Sequence, residues 1–234
     1  MSLVVKKIGG SLLKSDEDFT KIAAYLTEAY RKNPCMIVVV SALQGETDRL
    51  IFEAENLSSM SCHARELLLS LGEQKSCALL GLALNKQGIP YTILSGTQVG
   101  ISKGENGDYK VNKAAYETAL QSGIVIVSGF HVVDTNLNLV NLGRGGSDFT
   151  AILLAHSLKA DTCELLKDVP GVFNTQPEWG PLGQFFETLS FDQMLTLSGQ
   201  GVPIVQHEAL VFAKQHKIPF YVTNLSGQGT SIKG

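Results

Sequence analysis

The chain has 234 residues, 44% of them hydrophobic and 18% charged, with 19 Lys plus Arg against 22 Asp plus Glu. That apolar fraction can build a core, which excludes a disordered chain, and a pI near 6.0 without any basic block excludes a broad nucleic-acid footprint. No uninterrupted apolar run approaches the ~20 residues that cross a bilayer, and the N-terminus lacks a signal-peptide layout, so a cytoplasmic protein that meets no membrane is expected.

Leu3-Val4-Val5 opens the chain as a short strand that runs into Gly9-Gly10. A polar stretch with helical spacing, about Asp16 to Lys32, leads to Met36-Ile37-Val38-Val39-Val40, which is apolar on both faces as a buried parallel strand must be. Arg65 to Lys86 is Leu/Ala-rich and helical, with a break expected near Gly72. Tyr91 to Leu94 reads as a strand, and Val99–Val111 and His131–Asn141 read as hairpins around Glu105-Asn106-Gly107-Asp108 and Asp134-Thr135-Asn136. A helix over about Lys113 to Ser122 precedes the strand Ile124 to Val127. Phe149 to Leu158 forms a further helix, and Cys163–Leu166 and Phe220–Val222 add strands. Strands alternating with crossover helices predict an α/β protein with a mainly parallel sheet. No linker, repeat or low-complexity stretch divides residues 1–234, so a single domain is expected. The cysteines Cys35, Cys62, Cys77 and Cys163 lack zinc or redox spacing and read as reduced thiols; the five histidines lack metal-ligand spacing.

In such sheets ligands bind at the carboxyl ends of the strands, so the loops after the strands carry the functional reading. Gly9-Gly10-Ser11 follows the first strand, and Lys7 stands two residues upstream. Glycines there let backbone N–H groups approach a phosphate, although a Gly-Gly pair is also an ordinary βα turn. Gly143-Arg144-Gly145-Gly146-Ser147-Asp148 opens a helix, whose N-terminus favours anions, and Arg144 offers a two-pronged clamp for a carboxylate or phosphate. Ser147 or Asp148 could alternatively serve only as the helix cap. Ser41 to Asp48 is a third strand-end loop and equally reads as a capping segment. Lys167-Asp168-Val169-Pro170-Gly171-Val172-Phe173 is a fourth, and equally a Pro-Gly turn. Glu73 lies in apolar surroundings, either as a helix-surface charge or as a buried acid awaiting a cation. No Walker A, HExxH, GxSxG or CxxC pattern occurs. Cations, glycine turns and acids without a base suit phosphoryl transfer to an acceptor already ionised, such as a carboxylate.

The order of Lys7-Ile8-Gly9-Gly10-Ser11, Val39-Val40-Ser41-Ala42 with Thr47-Asp48, Leu71-Gly72-Glu73, Leu142 to Asp148 and Lys167 to Val172 resembles the aspartokinases of the amino-acid-kinase family, over nearly the whole chain and as their catalytic domain without ACT regulatory domains. The resemblance implies a three-layer αβα sandwich, and transfer of the ATP γ-phosphate to the side-chain carboxylate of L-aspartate. It implies Lys7 on the transferring phosphate and Asp148 orienting Lys7 and the reacting groups. Gly9, Gly10 and Ser11 would cradle phosphate oxygens. Ser41, Thr47, Glu73, Arg144, Gly146 and Ser147 would hold the amino acid, with Glu73 on its ammonium and Arg144 on its α-carboxylate. Lys167, Asp168, Gly171, Val172 and Phe173 would line the nucleotide pocket. The part before about residue 150 would bind substrate and the rest nucleotide. Mg2+ would ride on the phosphates without a protein cage of its own, and a homodimer is implied.

Three departures accompany the resemblance. The sequence stops at Gly234, so feedback through ACT domains is not expected. Gln176-Pro177-Glu178 stands where the family has Asp-Pro-Arg, and Gly201-Val202-Pro203 where it has Gly-x-Lys. Two positive charges are thereby lost from the expected nucleotide side. They leave two alternatives open: a related kinase with another small carboxylate or amino acid as acceptor, and a binding protein with weakened turnover.

Overall fold

The computed structural model describes residues 2–58, 60–174, 183–200 and 204–234. The strands are β1 (Val4–Ile8), β2 (Met36–Val40), β3 (Tyr91–Leu94), β4 (Ile101–Lys103), β5 (Tyr109–Val111), β6 (Ile124–Ser128), β7 (His131–Val133), β8 (Leu139–Asn141), β9 (Thr162–Leu166), β10 (Val172–Phe173), β11 (Phe185–Phe186), β12 (Thr188–Ser190), β13 (Phe220–Thr223) and β14 (Gly229–Lys233). The helices are α1 (Asp16–Lys32), α2 (Glu46–Leu57), α3 (His63–Lys86), α4 (Lys113–Leu120), α5 (Gly146–Leu158), α6 (Phe191–Gly199) and α7 (His207–His216).

β-Branched runs that cannot leave either face in water form the centre. β2 and β6 are buried at every position. They sit inside an eight-stranded sheet of order β12-β14-β13-β9-β1-β2-β6-β3, parallel at every contact except β13 with β14. Successive side chains point to opposite faces and so build two cores. Val5, Ile37, Val39, Val125 and Val127 pack with Tyr116 of α4, residues 151–155 of α5, Met194 of α6 and Leu210 of α7. Ile8, Val38, Val40 and Ile126 pack with Phe19, Ile22 and Leu26 of α1 and with Cys77, Leu80 and Leu84 of α3. Each such aliphatic side chain contributes roughly 1.5–3 kcal/mol when fully buried. The result is the expected three-layer αβα sandwich.

Two local outcomes differ from the sequence reading. α3 runs unbroken through Gly72, because that glycine packs face-on against the loop after β2: a Cβ there would meet Ala42 Cβ at 2.9 Å. α3 is also long and apolar enough, by length and composition, to cross a bilayer, with half of the relevant window buried in the protein. Cys77, Leu80 and Leu84 press it onto the sheet, and Leu69 packs with Leu50 of α2 and Phe130, as the core helix of a layered fold. The hairpins β4–β5 and β7–β8 form as expected and join through Ser102 and Val133 into a four-stranded sheet.

β9, β1 and β2 are neighbours, and their register places Ile8 level with Leu166 on one side and Val40 on the other. The three loops that follow, at Gly9, Ser41 and Lys167, therefore leave the sheet together. The site is built there.

Candidate active site

Alternation along β1 puts Lys7 on the same face as Val5, toward α5. Its ammonium is buried, and Nζ lies 2.7 Å from Asp148 Oδ1. Lys167, just past β9, places its Nζ 3.0 and 2.8 Å from the two oxygens of the same carboxylate. Asp148 is free to take both lysines because it does not cap its helix. The cap of α5 is Gly145, left-handed at φ 84°, with no side-chain cap bond, so Ser147 and Asp148 ride inside the first turn. A non-glycine residue would strain there. The reading of Ser147 or Asp148 as a mere cap is thereby corrected. Burial opposes the charge on Asp148, but Lys167 and then Lys7 outweigh it and hold the carboxyl at about 2. Burial lowers the Lys7 ammonium to about 8, against the pull of Asp148. Two cations sharing one anion leave net positive charge at the strand tips, in a setting where water cannot screen it.

The backbone beside this charge has room for a close approach. A Cβ on Gly10 would meet the Ala42 carbonyl oxygen at 2.8 Å; one on Gly9 would lie 3.0 Å from the Leu166 oxygen and 3.7 Å from Lys7 Nζ. Ser11 donates its hydroxyl hydrogen to Asp168 at 2.9 Å, which ties the first loop to the fourth. Ser11, Lys167 and Asp168 line a cavity of about 340 Å³ together with Asn224, Leu225 and Ser226. Gly171 (φ 136°) sits where a Cβ would strike Thr230 Oγ1 at 2.6 Å, and that hydroxyl oxygen accepts the Val172 N–H. Val172 is fully buried and Phe173 nearly so, in β10 paired with β11, so Val172 has only its backbone to offer a ligand. Gln176-Pro177-Glu178 and Gly201-Val202-Pro203 lie outside the described residues. Among the described residues no group of three or more His, Cys, Asp or Glu could hold a metal ion.

On the other side of Lys7, Glu73 of α3 is buried. Its Oε1 accepts the Ala42 N–H at 3.1 Å, while Oε2 is buried with no partner among the described residues. Burial lifts its carboxyl to about 7, against the Ala42 hydrogen bond and the charge of Lys7. An orphaned carboxylate oxygen in this position is what an incoming ammonium would satisfy. Ser41 and Thr47 are half-buried, the first just past β2 and the second in the first turn of α2. Ser147 is buried and abuts Gly129, where a Cβ would lie 2.6 Å from its Oγ; Gly146 is wedged against Leu142 and Phe130.

Arg144 does not enter the crevice. Its side chain is 88% exposed and its Nη2 pairs with Asp48 Oδ1 at 2.8 Å, bridging the glycine loop to α2 across the rim. Sequence reading missed Asp48 as that partner, although its place beside Thr47 was in view. It also missed Phe130, which is buried beside Gly146 with φ 71°, a conformation costly for a bulky residue and invisible in composition. A cavity of about 1110 Å³ lies elsewhere, between β5, α5 and α7, with Tyr109, Phe149, His156 and Phe212 in its wall.

The family model of the amino acid kinase family matches residues 2–224. The chain belongs to the amino acid kinase family. Among members of this family, it is 36% identical to an aspartate kinase of Pseudomonas fluorescens (strain SBW25) over 242 residues, 99% of this chain and 59% of the relative. It is likewise 36% identical to an aspartokinase of Geobacillus stearothermophilus, over all of this chain and 59% of that one. The chain thus spans about three-fifths of the length of these relatives. An aspartate kinase structure from Synechocystis superposes with a TM-score of 0.88 at 32% identity, over 100% of this chain and 40% of that chain. An isopentenyl phosphate kinase shares the fold alone, with a TM-score of 0.75 at 17% identity over 99% of this chain and 100% of that chain.

Proposed function

We propose that the protein transfers the γ-phosphoryl group of ATP to the side-chain carboxylate of L-aspartate, giving an acyl phosphate and ADP. The observation that carries this reading is the Lys7–Asp148–Lys167 cluster beside Gly9-Gly10, with the unsatisfied Glu73 oxygen on its other flank. Similarity to the aspartokinases of two bacteria supports the choice of acceptor.

A carboxylate oxygen of the acceptor forms the new bond to phosphorus as the bond from phosphorus to the leaving ADP oxygen breaks. The acceptor is ionised at neutral pH, so no base is required, and the residues only position and neutralise. Lys7 and Lys167 face the oxygens of the transferring group, and Asp148 keeps both ammoniums charged and aimed. The Gly10 N–H approaches the phosphates without a side chain in the way, while the Gly9 N–H is given to the Leu166 carbonyl oxygen at 3.0 Å and Gly9 serves by leaving the space beside Lys7 open. Glu73 takes the substrate ammonium, with Ser41, Thr47, Gly146 and Ser147 around the carbon chain, and Arg144 swings from Asp48 to the α-carboxylate. Ser11, Asp168, Gly171, Val172 and Phe173 lie on the nucleotide side, which runs from about residue 150. Mg2+ bound to the phosphates supplies further charge neutralisation when present.

Incubation with MgATP, L-aspartate and hydroxylamine yields aspartyl hydroxamate; no product over a wide ATP range sinks the proposal. The rim position of Arg144 favours one competing reading, a kinase for another small carboxylate or amino acid, and ADP release across a panel of acceptors separates the two. The working unit is a homodimer in the cytoplasm. The four cysteines are all free, as a reducing compartment keeps them. α3 presents Leu67, Leu71, Ala78 and Leu82 outward on one stripe, the kind of surface that a second copy covers.

A further inference from the structure

Gln206 carries no motif and stands just before α7, as the residue that caps it. Its side chain reaches away from its own helix. Nε2 donates to the Leu142 carbonyl oxygen at 2.8 Å, the carbonyl immediately before Gly143-Arg144. Its Cβ and Cγ fill the space over Gly145, where an added Cβ would meet them at 3.1 and 3.5 Å. Its main-chain N–H points at Asp148 Oδ2, a long contact of 3.4 Å. Oε1 is buried without a partner among the described residues, so the amide is held from one side only, by Leu142.

One residue therefore touches both ends of the glycine loop and the carboxylate that gathers Lys7 and Lys167. We infer that Gln206 is a positioning residue that clamps the Leu142–Gly145 loop to Asp148, so that the guanidinium side and the phosphate side of the site keep one register. It acts through the loop. The loop, left-handed at Gly143 and Gly145, is also held by the Leu142 N–H on the Phe130 carbonyl oxygen at 2.8 Å, by the Gly143 N–H on Asn141 Oδ1 at 3.0 Å and by the Arg144–Asp48 pair; Gln206 adds the tie that joins it to the Asp148 side. The inference rests on the proposed kinase reading for its consequence and on geometry alone for the clamp.

The test compares Gln206→Met, which keeps the packing on Gly145 but loses the donor, with Gln206→Glu, which sets an acceptor against the Leu142 oxygen and a charge near Asp148. Hydrogen–deuterium exchange without substrates reads the clamp: Gln206→Met speeds exchange across residues 142–148 about tenfold, the weight of one hydrogen bond, and leaves α1 unchanged. Steady-state kinetics read the consequence: Gln206→Met raises the half-saturating aspartate concentration about tenfold with that for ATP within twofold, and Gln206→Glu also lowers turnover. Unchanged exchange overturns the clamp whatever the activity. Faster exchange with aspartate and ATP requirements shifted alike overturns the positioning role. Faster exchange in a protein whose native form makes no aspartyl phosphate overturns the kinase reading and leaves the clamp standing.

Discussion

At the scale of single residues, burial decides protonation and protonation decides chemistry. Lys7 and Lys167 remain cations in a dry setting because Asp148 stands between them. Removing one member exposes its role. Lys7→Ala is expected to lower turnover about 100- to 1000-fold, the usual weight of one preorganised donor at a developing charge, while circular dichroism stays native because Lys167 still satisfies Asp148. Near-normal turnover would remove Lys7 from the phosphate. The pH profile follows from the same groups. With Lys7 at about 8, turnover falls as pH rises through that value. With Glu73 at about 7, the aspartate requirement climbs as pH falls below it, because a neutral carboxyl no longer attracts an ammonium. The stability consequence has a definite sign. Glu73 is raised from 4.5, so the folded state holds an extra proton between about 4.5 and 7, and stability drops as pH climbs through that window. Urea midpoints at pH 5 and pH 8 therefore differ less for Glu73→Gln than for the native chain; equal slopes would place Glu73 in water.

At the scale of elements, close approach matters more than propensity. α3 carries Gly72 and Gly81 in its buried face. The first lets α3 reach the Ala42 loop, and the second makes room for the Tyr91 ring, which a Cβ would meet at 2.8 Å. Alanine at position 72 gains about 1 kcal/mol of helix propensity and meets an overpacking penalty of about 1–3 kcal/mol. Gly72→Ala is thus expected to be destabilised by about 1 kcal/mol net in urea titration. It should also weaken aspartate binding, since Ala42 is the residue whose N–H holds Glu73. A stabilised variant with normal affinity would mean the loop yields freely. α2 and α5 share a device: each starts at a left-handed glycine, Gly45 or Gly145, so the side chains of their first turns are left for the site.

At the scale of the whole molecule, one surface feature lacks an internal explanation. α3 is apolar on nearly every side, yet Leu67 and Leu71 are each 48% exposed and Leu82 64%. Such a helix normally has all its faces covered. The double variant Leu71→Glu/Leu82→Glu is expected to run as a monomer by light scattering at concentrations where the native chain is dimeric, with its melting curve still cooperative. A native chain that is monomeric throughout would leave the stripe without a partner.

How much of this was legible beforehand differs by kind of feature. The β-branched runs and the helical spacing of α1 and α3 are local patterns, so the parallel sheet and the strand-end loops could be read directly, and Lys7, Glu73, Asp148 and Lys167 stood out as acids and cations beside glycines. β12, β14, α6 and α7 escaped, because they are short and their apolar residues face a core that exists only after the sheet has formed. By itself the sequence determined the β-branched central strands and the glycine loops that follow them, since periodicity and glycine placement act over a few residues. Only the tertiary structure decided that Lys7 and Lys167 share one carboxylate, that Arg144 waits on the rim with Asp48, and that Gln206 meets Leu142, because each pairing joins residues many positions apart whose meeting depends on strand register and helix packing.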